Sequence, residues 1–267
     1  MREPGKLLCE AAVIDIKWLN DSYYTLRFHS PEMALRSSPG QFVNLKLSNV
    51  KDLLLRRPMS IYRCGKKEGW LEFLLKIVGR GTRTFSHVQP GDEFGLLGPL
   101  GRGFDFDDVN DAILVGGGIG IAPLVFLAEE MYARNVNVRF VQGFVSQSEM
   151  CCAEELTPFV EELQIATDDG SYGFHGDVVG LLRELIRGKA DLTGAEIFAC
   201  GPNVMMRSLA ELCVQENMKA QFSVEAHMAC GFGVCVGCPV PLHDRSGYYL
   251  ACTDGPVFRL GDIDFAD

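Results

Sequence analysis

The hydrophobic pattern of this chain changes between Phe106 and Asn110. Before this point, β-branched, aromatic and apolar residues form short runs that are separated by turn signals such as Ser38-Pro39-Gly40. The runs lie at residues 10–18, 22–29, 41–47 and 70–78. Short strands at this spacing predict a small antiparallel barrel or a sandwich. The sequence Leu97-Gly-Pro-Leu-Gly101 predicts a tight turn where this part ends.

After this point the pattern alternates between strands and helices. Strands are predicted at residues 112–115, 136–141, 163–167 and 196–200, and helices at 121–132, 178–186 and 204–216. This alternation predicts a doubly wound parallel sheet with crossover helices. From about residue 222, cysteine and glycine become frequent and the periodicity fades. We therefore expect an all-β barrel domain at 1–107, an α/β domain at 108–221 and a small cysteine-rich domain at 222–267.

The length of 267 residues suits two domains with a small appendage. The formal net charge of -10 argues against non-specific binding to nucleic acid or to an anionic membrane surface. No apolar run approaches the roughly 20 residues that a membrane-spanning helix needs. Residues 1–8 lack the apolar core of a secretory signal. We expect a cytoplasmic protein without a membrane span.

Four of the 10 cysteines are crowded near the C-terminus. Cys230, Cys235 and Cys238 follow the spacing C-x4-C-x2-C, and Cys252 lies further along the chain. This is the spacing of plant-type [2Fe–2S] sites, in which one glycine-rich loop supplies three ligands and a distant cysteine supplies the fourth. A structural zinc site is the alternative, although zinc modules usually contain two separated cysteine pairs. The sequence therefore favours an iron–sulfur cluster.

Two segments of the barrel part are candidates for binding a phosphate beside a flavin. The segment Arg56-Arg-Pro-Met-Ser-Ile61 begins a predicted strand, and the planar fork of an arginine suits phosphate. The segment Gly79-Arg-Gly-Thr-Arg-Thr84 begins a predicted short helix, whose unpaired N–H groups favour anions. Each segment also has an ordinary structural interpretation, as an Arg-Pro pair at a strand start and as a helix N-cap.

Two glycine turns of the α/β part are candidates for binding a dinucleotide. The turn Gly116-Gly-Gly-Ile-Gly120 lies between a predicted strand and a predicted helix, where pyrophosphate binds in α/β sheets. Its spacing does not match G-x-G-x-x-G. The turn Cys200-Gly-Pro202 follows a later strand in the same way. One such turn alone could be only a tight connection, but two turns at neighbouring strand ends would face one ligand.

The segment from Gly143 to Glu149, after the second strand of the α/β part, contains no arginine or lysine. A site for the 2′-phosphate of NADP would require positive charge in this region. We therefore expect NAD rather than NADP.

With these motifs, the chain resembles the ferredoxin–NADP reductase superfamily and, within it, the electron-transfer subunits of dihydroorotate dehydrogenase B. The resemblance to the superfamily rests on Arg57-Pro-Met-Ser60, Gly81-Thr82 and the two glycine turns. Three further segments resemble the subunit family, at residues 225–238, 252–258 and 167–172. The resemblance covers essentially the whole chain.

The resemblance implies that the chain binds FAD, a [2Fe–2S] cluster and NAD. It places FAD along a set of nine barrel residues: Arg57, Pro58, Met59, Ser60, Leu74, Leu75, Lys76, and, at the pyrophosphate, Gly81 and Thr82. It places NAD at the two turns: Gly116, Gly117, Gly118, Gly120, Cys200, Gly201 and Pro202. The cluster ligands would be Cys230, Cys235, Cys238 and Cys252. Many superfamily members carry an aromatic residue where this chain has Met59. No side chain is expected to act as a general acid or base.

The resemblance also implies a function. In that family, a catalytic partner subunit uses its own FMN to oxidise dihydroorotate in pyrimidine biosynthesis, and the electrons pass through the cluster and FAD to NAD⁺. The chain would then be the NAD-reducing flavoprotein subunit of an oxidoreductase, in a heterotetramer with two copies of each subunit. One alternative is a subunit of another NAD(P)H-linked complex, of the ferredoxin:NADP oxidoreductase or sulfhydrogenase type. A second alternative is a zinc-stabilised scaffold without a redox role.

Overall fold

The structure is a computed structural model that describes residues 6–48, 50, 53–188, 192 and 194–265. The first part of the chain forms a closed barrel of six antiparallel strands in the order β1-β2-β5-β4-β3-β6. These strands are β1 (Leu7–Trp18), β2 (Tyr23–His29), β3 (Phe42–Leu47), β4 (Arg57–Gly65), β5 (Trp70–Lys76) and β6 (Glu93–Leu100), with the short helices α1 (Pro31–Arg36) and α2 (Arg80–Phe85) between them. The expected antiparallel barrel is confirmed.

The barrel closes around aromatic side chains that several of its strands direct inward. Phe28 packs edge to face against Phe73 and Phe94, with ring centroids 5.8 and 5.0 Å apart. Phe85 of α2 covers one end of this core and packs against Phe94 at 5.0 Å. All four rings are fully buried. Aromatic residues of this size supply much of the apolar burial that stabilises a small barrel.

The tight turn predicted at residues 97–101 is wrong for most of its length. Leu97 to Leu100 belong to β6, where Leu97 pairs with Leu8 of β1 and Asn44 of β3. Phe42 and Asn44 of β3 pair with Leu100 and Leu97 of β6, so Gly98 and Pro99 together oppose one β3 residue and form a β-bulge in β6. A bulge tolerates proline because the missing N–H need not join the ladder. The chain leaves the strand at Gly101, which has φ of +74°.

The second part forms a seven-stranded sheet in the order β10-β9-β8-β7-β11-β12-β15, flanked by helices. The elements are β7 (Asp111–Gly117), α3 (Ile121–Ala133), β8 (Asn137–Phe144), α4 (Ala153–Leu156), β9 (Glu162–Thr167), β10 (Phe174–His175), α5 (Val178–Gly188), β11 (Glu196–Cys200), α6 (Asn203–Gln215), β12 (Ala220–Ser223), β13 (Pro239–Pro241), β14 (Tyr248–Leu250) and β15 (Val257–Arg259). Every neighbouring pair from β10 to β12 is parallel, which confirms the α/β prediction.

The cysteine-rich segment is attached to this sheet. Its last strand, β15, pairs antiparallel with β12 and extends the sheet by one strand. The smaller pair β13–β14 forms a separate two-stranded sheet. The domain limits at 107/108 and 221/222 stay predictions, and β12 spans the second of them.

Charged pairs and one aromatic residue connect the barrel to the α/β part. Phe126 of α3 is buried in the barrel core. Among the described residues, four of the ion pairs that cross the interface take their cation from the barrel and their carboxylate from the α/β part. They are Lys17–Glu155 at 2.9 Å, Arg63–Glu129 at 2.6 Å, Lys66–Glu130 at 2.9 Å and Lys76–Glu149 at 2.8 Å.

Within the described residues, no helix is long and apolar enough to cross a membrane.

Candidate functional site

The two glycine turns meet at the carboxyl edge of the sheet. β7 and β11 are neighbours, and Gly116 pairs with Cys200. A Cβ atom on Gly120 would lie 2.4 Å from the carbonyl oxygen of Cys200, and one on Gly201 would lie 3.2 Å from the amide nitrogen of Gly117. Only glycine permits this approach, because any side chain would separate the turns. The sheet thus brings the predicted turns together.

A cavity of about 580 Å³, here called the sheet cavity, opens beside these turns. Gly117, Gly118, Gly120, Gly201 and Pro202 all line it. The segment from Gly118 to Gly120 is a 3₁₀ turn that leads directly into α3, whose N-terminus therefore points its unpaired N–H groups toward this region. Gly116 lies behind the cavity, where a Cβ atom would meet Ile121. The arrangement suits a ligand with a pyrophosphate group.

The far wall of the sheet cavity is acidic. Asp168 follows β9, and Asp177 precedes α5, where its Oδ1 atom accepts the N–H of Gly180 at 2.8 Å. The Asp168 amide donates to the carbonyl oxygen of Phe144 at 3.0 Å, which fixes this residue beside the end of β8. The sequence analysis assigned neither aspartate to a site, although Asp168 lies in the segment 167–172, because their approach depends on how β8, β9 and α5 pack.

A second cavity of about 270 Å³, here called the barrel cavity, lies between the barrel and the sheet. Six of the predicted flavin residues line it: Pro58, Met59, Ser60, Leu74, Lys76 and Thr82. The Thr82 hydroxyl accepts the N–H of Val78 at 3.1 Å and so closes the turn into α2. The combination of an apolar floor with hydroxyl groups suits a flat ring with a polar edge.

Three other predicted residues lie outside the wall of the barrel cavity. Arg57 and Gly81 lie against each other, since a Cβ atom on Gly81 would be 2.6 Å from Nε of Arg57. The Arg57 guanidinium donates to the carbonyl oxygen of Leu55. Leu75 is buried in the barrel core and supports β5 from behind.

The two cavities share part of their lining. Lys76, Ile119, Gly120 and Glu225 belong to both, so ligands in the two cavities would meet at these residues. Glu225 is exposed to the space of the two cavities, and partial desolvation by the surrounding protein raises the pKa of its carboxyl. The pKa of the neighbouring Cys200 thiol is raised by its own burial and by the charge of Glu225. The sequence analysis assigned no role to Glu225, whose position depends on the docking of the last segment.

The four clustered cysteines lie together. Cys235 lies close enough to Cys230, and Cys238 close enough to Cys252, to shift the pKa of its neighbour. Burial opposes the ionisation of Cys230, but the N–H groups of Phe232 and Cys235, each 3.5 Å from its sulfur, outweigh this effect and lower its pKa to about 6. Burial and the Cys238 thiol raise the pKa of Cys252 to about 12. Cys235 is exposed, whereas Cys238 and Cys252 are buried.

This arrangement fits a two-iron cluster. Within the described residues, no three His, Cys, Asp or Glu side chains converge closely enough to hold one metal ion. The thiols instead form two pairs, and a [2Fe–2S] cluster takes two ligands on each iron. Gly231 and Gly233 have φ of +78° and +88°, a conformation that glycine adopts readily and that turns the loop around the thiols.

Comparison with known families supports these assignments of the two regions. The family model "Iron-sulfur cluster binding domain of dihydroorotate dehydrogenase B" matches residues 225–264, and "Oxidoreductase FAD-binding domain" matches residues 11–104. The electron-transfer subunit of dihydroorotate dehydrogenase B (NAD⁺) from Listeria innocua is 37% identical over 261 residues, which cover 96% of this chain and 99% of the relative. The subunit from Desulforamulus reducens is 34% identical over 93% of this chain and 95% of its own length.

The chain belongs to the family of dihydroorotate dehydrogenase B electron-transfer subunits. It is an oxidoreductase subunit with an FAD-binding domain and an iron–sulfur domain. The iron–sulfur match sets aside the zinc alternative for the four cysteines.

Solved structures show the same fold. A structure described as the NADH-dependent reduced ferredoxin-NADP oxidoreductase superposes with a TM-score of 0.86 at 26% identity and covers 96% of this chain and 90% of that chain. A ferredoxin NADP⁺ reductase from Neisseria gonorrhoeae superposes with a TM-score of 0.63 at 20% identity, covering 76% of this chain and 91% of that chain. Members of this family and these reductases share the barrel and the α/β sheet.

Proposed function

We propose that this chain carries electrons from the catalytic subunit of a dihydroorotate dehydrogenase to NAD⁺, and that it holds a [2Fe–2S] cluster and FAD for this purpose. The FAD, when bound, exchanges single electrons with the cluster and electron pairs with the nicotinamide. The protein's own contribution is to hold the three sites in a row and at fixed separations.

One observation carries the proposal: a single short segment connects all three sites. Glu225 lines both cavities, and Ala226 and Met228 line the barrel cavity. Two residues later the same segment supplies Cys230, the first of the paired thiols. The order of the sites is therefore thiols, barrel cavity, sheet cavity, which is the order that electron flow from an iron–sulfur cluster through FAD to NAD⁺ requires.

We assign the cofactors to the residues that the sequence predicted. FAD would lie in the barrel cavity against Pro58, Met59, Ser60, Leu74, Lys76 and Thr82, with its pyrophosphate near Arg57 and Gly81. Leu75 would support the strand from the core. NAD would lie in the sheet cavity along both glycine turns, with Gly116 packed behind them and Cys200 on the side that faces the barrel cavity. The cluster would be held by Cys230, Cys235, Cys238 and Cys252.

The cluster loop supports the assignment of a protein partner. Phe232, Val234 and Val236 are 39%, 74% and 46% exposed, and they surround the exposed Cys235. An apolar surface beside a redox group is suited to docking another protein, because the contact excludes water from the electron path. We propose the FMN-containing catalytic subunit as this partner, in a cytoplasmic heterotetramer with two copies of each subunit.

A second candidate function is that of a subunit in an NAD(P)H-linked complex that uses ferredoxin. The superposition on the NADH-dependent reduced ferredoxin-NADP oxidoreductase, with a TM-score of 0.86, favours it. The two functions differ in the electron donor, so the donor is the quantity to test.

The test begins with anaerobic purification of the chain and measurement of its visible spectrum, iron, acid-labile sulfide and flavin. We expect about two iron and two sulfide per FAD. The candidate catalytic subunit is then added, and NAD⁺ reduction is followed with dihydroorotate as the donor. NAD⁺ reduction with ferredoxin and none with dihydroorotate would support the second candidate. A preparation without flavin and iron would refute both.

A further inference from the structure

Asn44 connects the barrel to the loop that carries the clustered cysteines. Its side chain is almost completely buried, at 1% exposure, and its Nδ2 atom donates to the carbonyl oxygen of Cys230 at 3.1 Å. Because that oxygen can only accept, the amide nitrogen must be the atom that faces it. The Oδ1 atom has no hydrogen-bond partner among the described residues. The single bond to Cys230 therefore satisfies this buried side chain only in part.

The contact leaves no free space around the first peptide of the loop. A Cβ atom on Gly231 would lie 2.2 Å from Nδ2 of Asn44 and 3.2 Å from Leu100. Gly231 has φ of +78°, so both its conformation and its neighbour require glycine. The loop begins pressed directly against the amide of Asn44.

On its other side, Asn44 adjoins strand residues that line the barrel cavity. It pairs with Pro58 of β4, and Pro58, Met59 and Ser60 line that cavity. Phe42, two residues earlier on β3, lines it as well. A shift of Asn44 would therefore move both the cavity wall and the start of the cysteine loop.

The hydrogen bond also orients the peptide between Cys230 and Gly231. In a trans peptide, the C=O and N–H groups point in opposite directions. With the oxygen held by Asn44, the N–H of Gly231 points away from β3. Backbone N–H groups beside the ligand sulfurs tune the reduction potential of an iron–sulfur cluster. The side chain that fixes this first peptide therefore influences the potential.

We propose that Asn44 is a positioning residue that fixes the first peptide of the cysteine loop against the barrel, and thereby sets the reduction potential of the cluster relative to that of FAD. The proposal rests on the proposed function, because it requires Cys230 to bind the cluster. Asparagine is suited to the task because aspartate has no donor for the carbonyl oxygen, alanine does not reach it, and glutamine is one methylene too long for the space.

The test compares Asn44→Asp and Asn44→Ala with the wild-type protein, each purified anaerobically as the full chain. The matched control is Asn20→Asp. The Nδ2 atom of Asn20 also donates across the interface to a backbone carbonyl oxygen, that of Met150, at 3.1 Å, and this contact involves none of the four clustered cysteines. Iron, sulfide and FAD are quantified, and the potential and electron paramagnetic resonance signal of the reduced cluster are measured.

We expect both Asn44 variants to keep their FAD and to show a changed resonance signal. We also expect the equilibrium constant for electron transfer between the cluster and FAD to differ about tenfold from the wild-type value. For a one-electron couple, this corresponds to a change of about 59 mV in the cluster potential. Loss of iron with FAD retained would support the proposal too. A wild-type potential and signal in both variants would overturn it, as would loss of FAD together with the cluster, which would indicate a role in barrel folding alone. A wild-type protein without iron would instead refute the proposed function.

Discussion

Lys76 at the end of β5 and Glu149 after β8 form an ion pair with 2.8 Å between Nζ and Oε2, at the place where the barrel cavity meets the sheet cavity. Nζ of Lys76 also lies 5.2 Å from the ring of Tyr23, whose hydroxyl is buried. Among the described residues that line the two cavities, Lys76 is the one cation, whereas Glu149, Glu225, Asp168 and Asp177 all carry carboxyl groups. A hydrogen-bond acceptor of a ligand in either cavity, such as a ring carbonyl or a carboxamide oxygen, would compete with Glu149 for it.

Replacing Lys76 with methionine should weaken NAD⁺ binding. A hydrogen bond to a charged group contributes about 1.5–3 kcal/mol, so the dissociation constant should rise roughly 10- to 100-fold. Lys17→Met is the control, because Lys17 forms the same kind of interdomain pair with Glu155 far from the cavities and is largely exposed. Titration calorimetry with NAD⁺ measures both variants. Equal affinity in Lys76→Met and wild type would show that Lys76 does not contact the coenzyme.

Glu225 should give the protein a pH dependence that glutamine abolishes. Partial desolvation raises the pKa of this carboxyl above its ordinary 4.5, so the folded protein holds the proton more tightly than the unfolded chain. Glu225 therefore costs stability as the pH rises from 4.5 through the folded-state pKa, and the cost persists above it. We expect Glu225→Gln to raise the melting temperature at pH 8 more than at pH 4.5. We also expect the rate of NAD⁺ reduction to lose an inflection above pH 4.5 in this variant.

The control for Glu225→Gln is Glu216→Gln, which removes an exposed carboxyl at the end of α6. Melting temperatures are compared at both pH values in the same buffers. A Glu225→Gln variant that behaves like Glu216→Gln at both pH values would contradict the raised pKa of the Glu225 carboxyl.

The sequence predicted those parts of the structure that local pattern encodes. Alternation predicted the barrel strands, the change of period predicted the α/β sheet, and the cysteine spacing predicted which thiols would lie together. The predicted turn at Leu97 was wrong, because a bulge in β6 itself accommodates Pro99 within the strand. A bulge is defined by the register with the partner strand, which a local sequence pattern does not reveal.

The residues that join the sites were beyond the reach of sequence pattern. Asn44 and Cys230 are 186 positions apart, and Lys76 and Glu149 are 73 positions apart. Their meeting depends on how the sheet and the last segment dock on the barrel, including the pairing of β15 with β12. A single asparagine within a strand carries no sign of such a contact, so only the assembled fold identifies it.

The acidic wall of the sheet cavity should determine the choice of coenzyme. The residues shared with the barrel cavity mark the nicotinamide end, so Asp168 and Asp177 lie where the adenosine of NAD would be. Carboxylates there can accept hydrogen bonds from the ribose hydroxyl groups of NAD, and they repel the 2′-phosphate of NADP. We expect Asp168→Asn to shift the coenzyme preference toward NADP⁺. The ratio of kcat/KM for NADP⁺ to kcat/KM for NAD⁺ should rise roughly fivefold, which corresponds to about 1 kcal/mol.

Asp169→Asn is the matched control for Asp168→Asn. The Asp169 carboxylate makes the same charge contribution one residue later, but it accepts the N–H and hydroxyl of Ser171 within its own turn and does not line the cavity. Asparagine can still accept these hydrogen bonds. Binding of ADP-ribose and of its 2′-phosphate is measured in parallel with turnover. An equal gain for NADP⁺ in both variants would indicate a general charge effect.

Alanine substitutions at Gly231 and Gly261 distinguish two ways in which a side chain can destabilise the protein, through an unfavourable backbone conformation and through a close contact. Gly231 and Gly261 have similar φ values, +78° and +91°, but a Cβ atom on Gly261 would have nothing within 4 Å, whereas one on Gly231 would collide with Asn44. We expect Gly261→Ala to lower the free energy of unfolding by about 1–2 kcal/mol, the cost of a left-handed residue with a side chain, and to keep iron and FAD. Gly231→Ala should lose most of its iron and sulfide and keep its FAD, because its collision displaces the loop and not the flavin wall. Measuring iron, sulfide and flavin after anaerobic purification distinguishes these results. Full iron content in Gly231→Ala would contradict the prediction and would show that the loop tolerates displacement from the barrel.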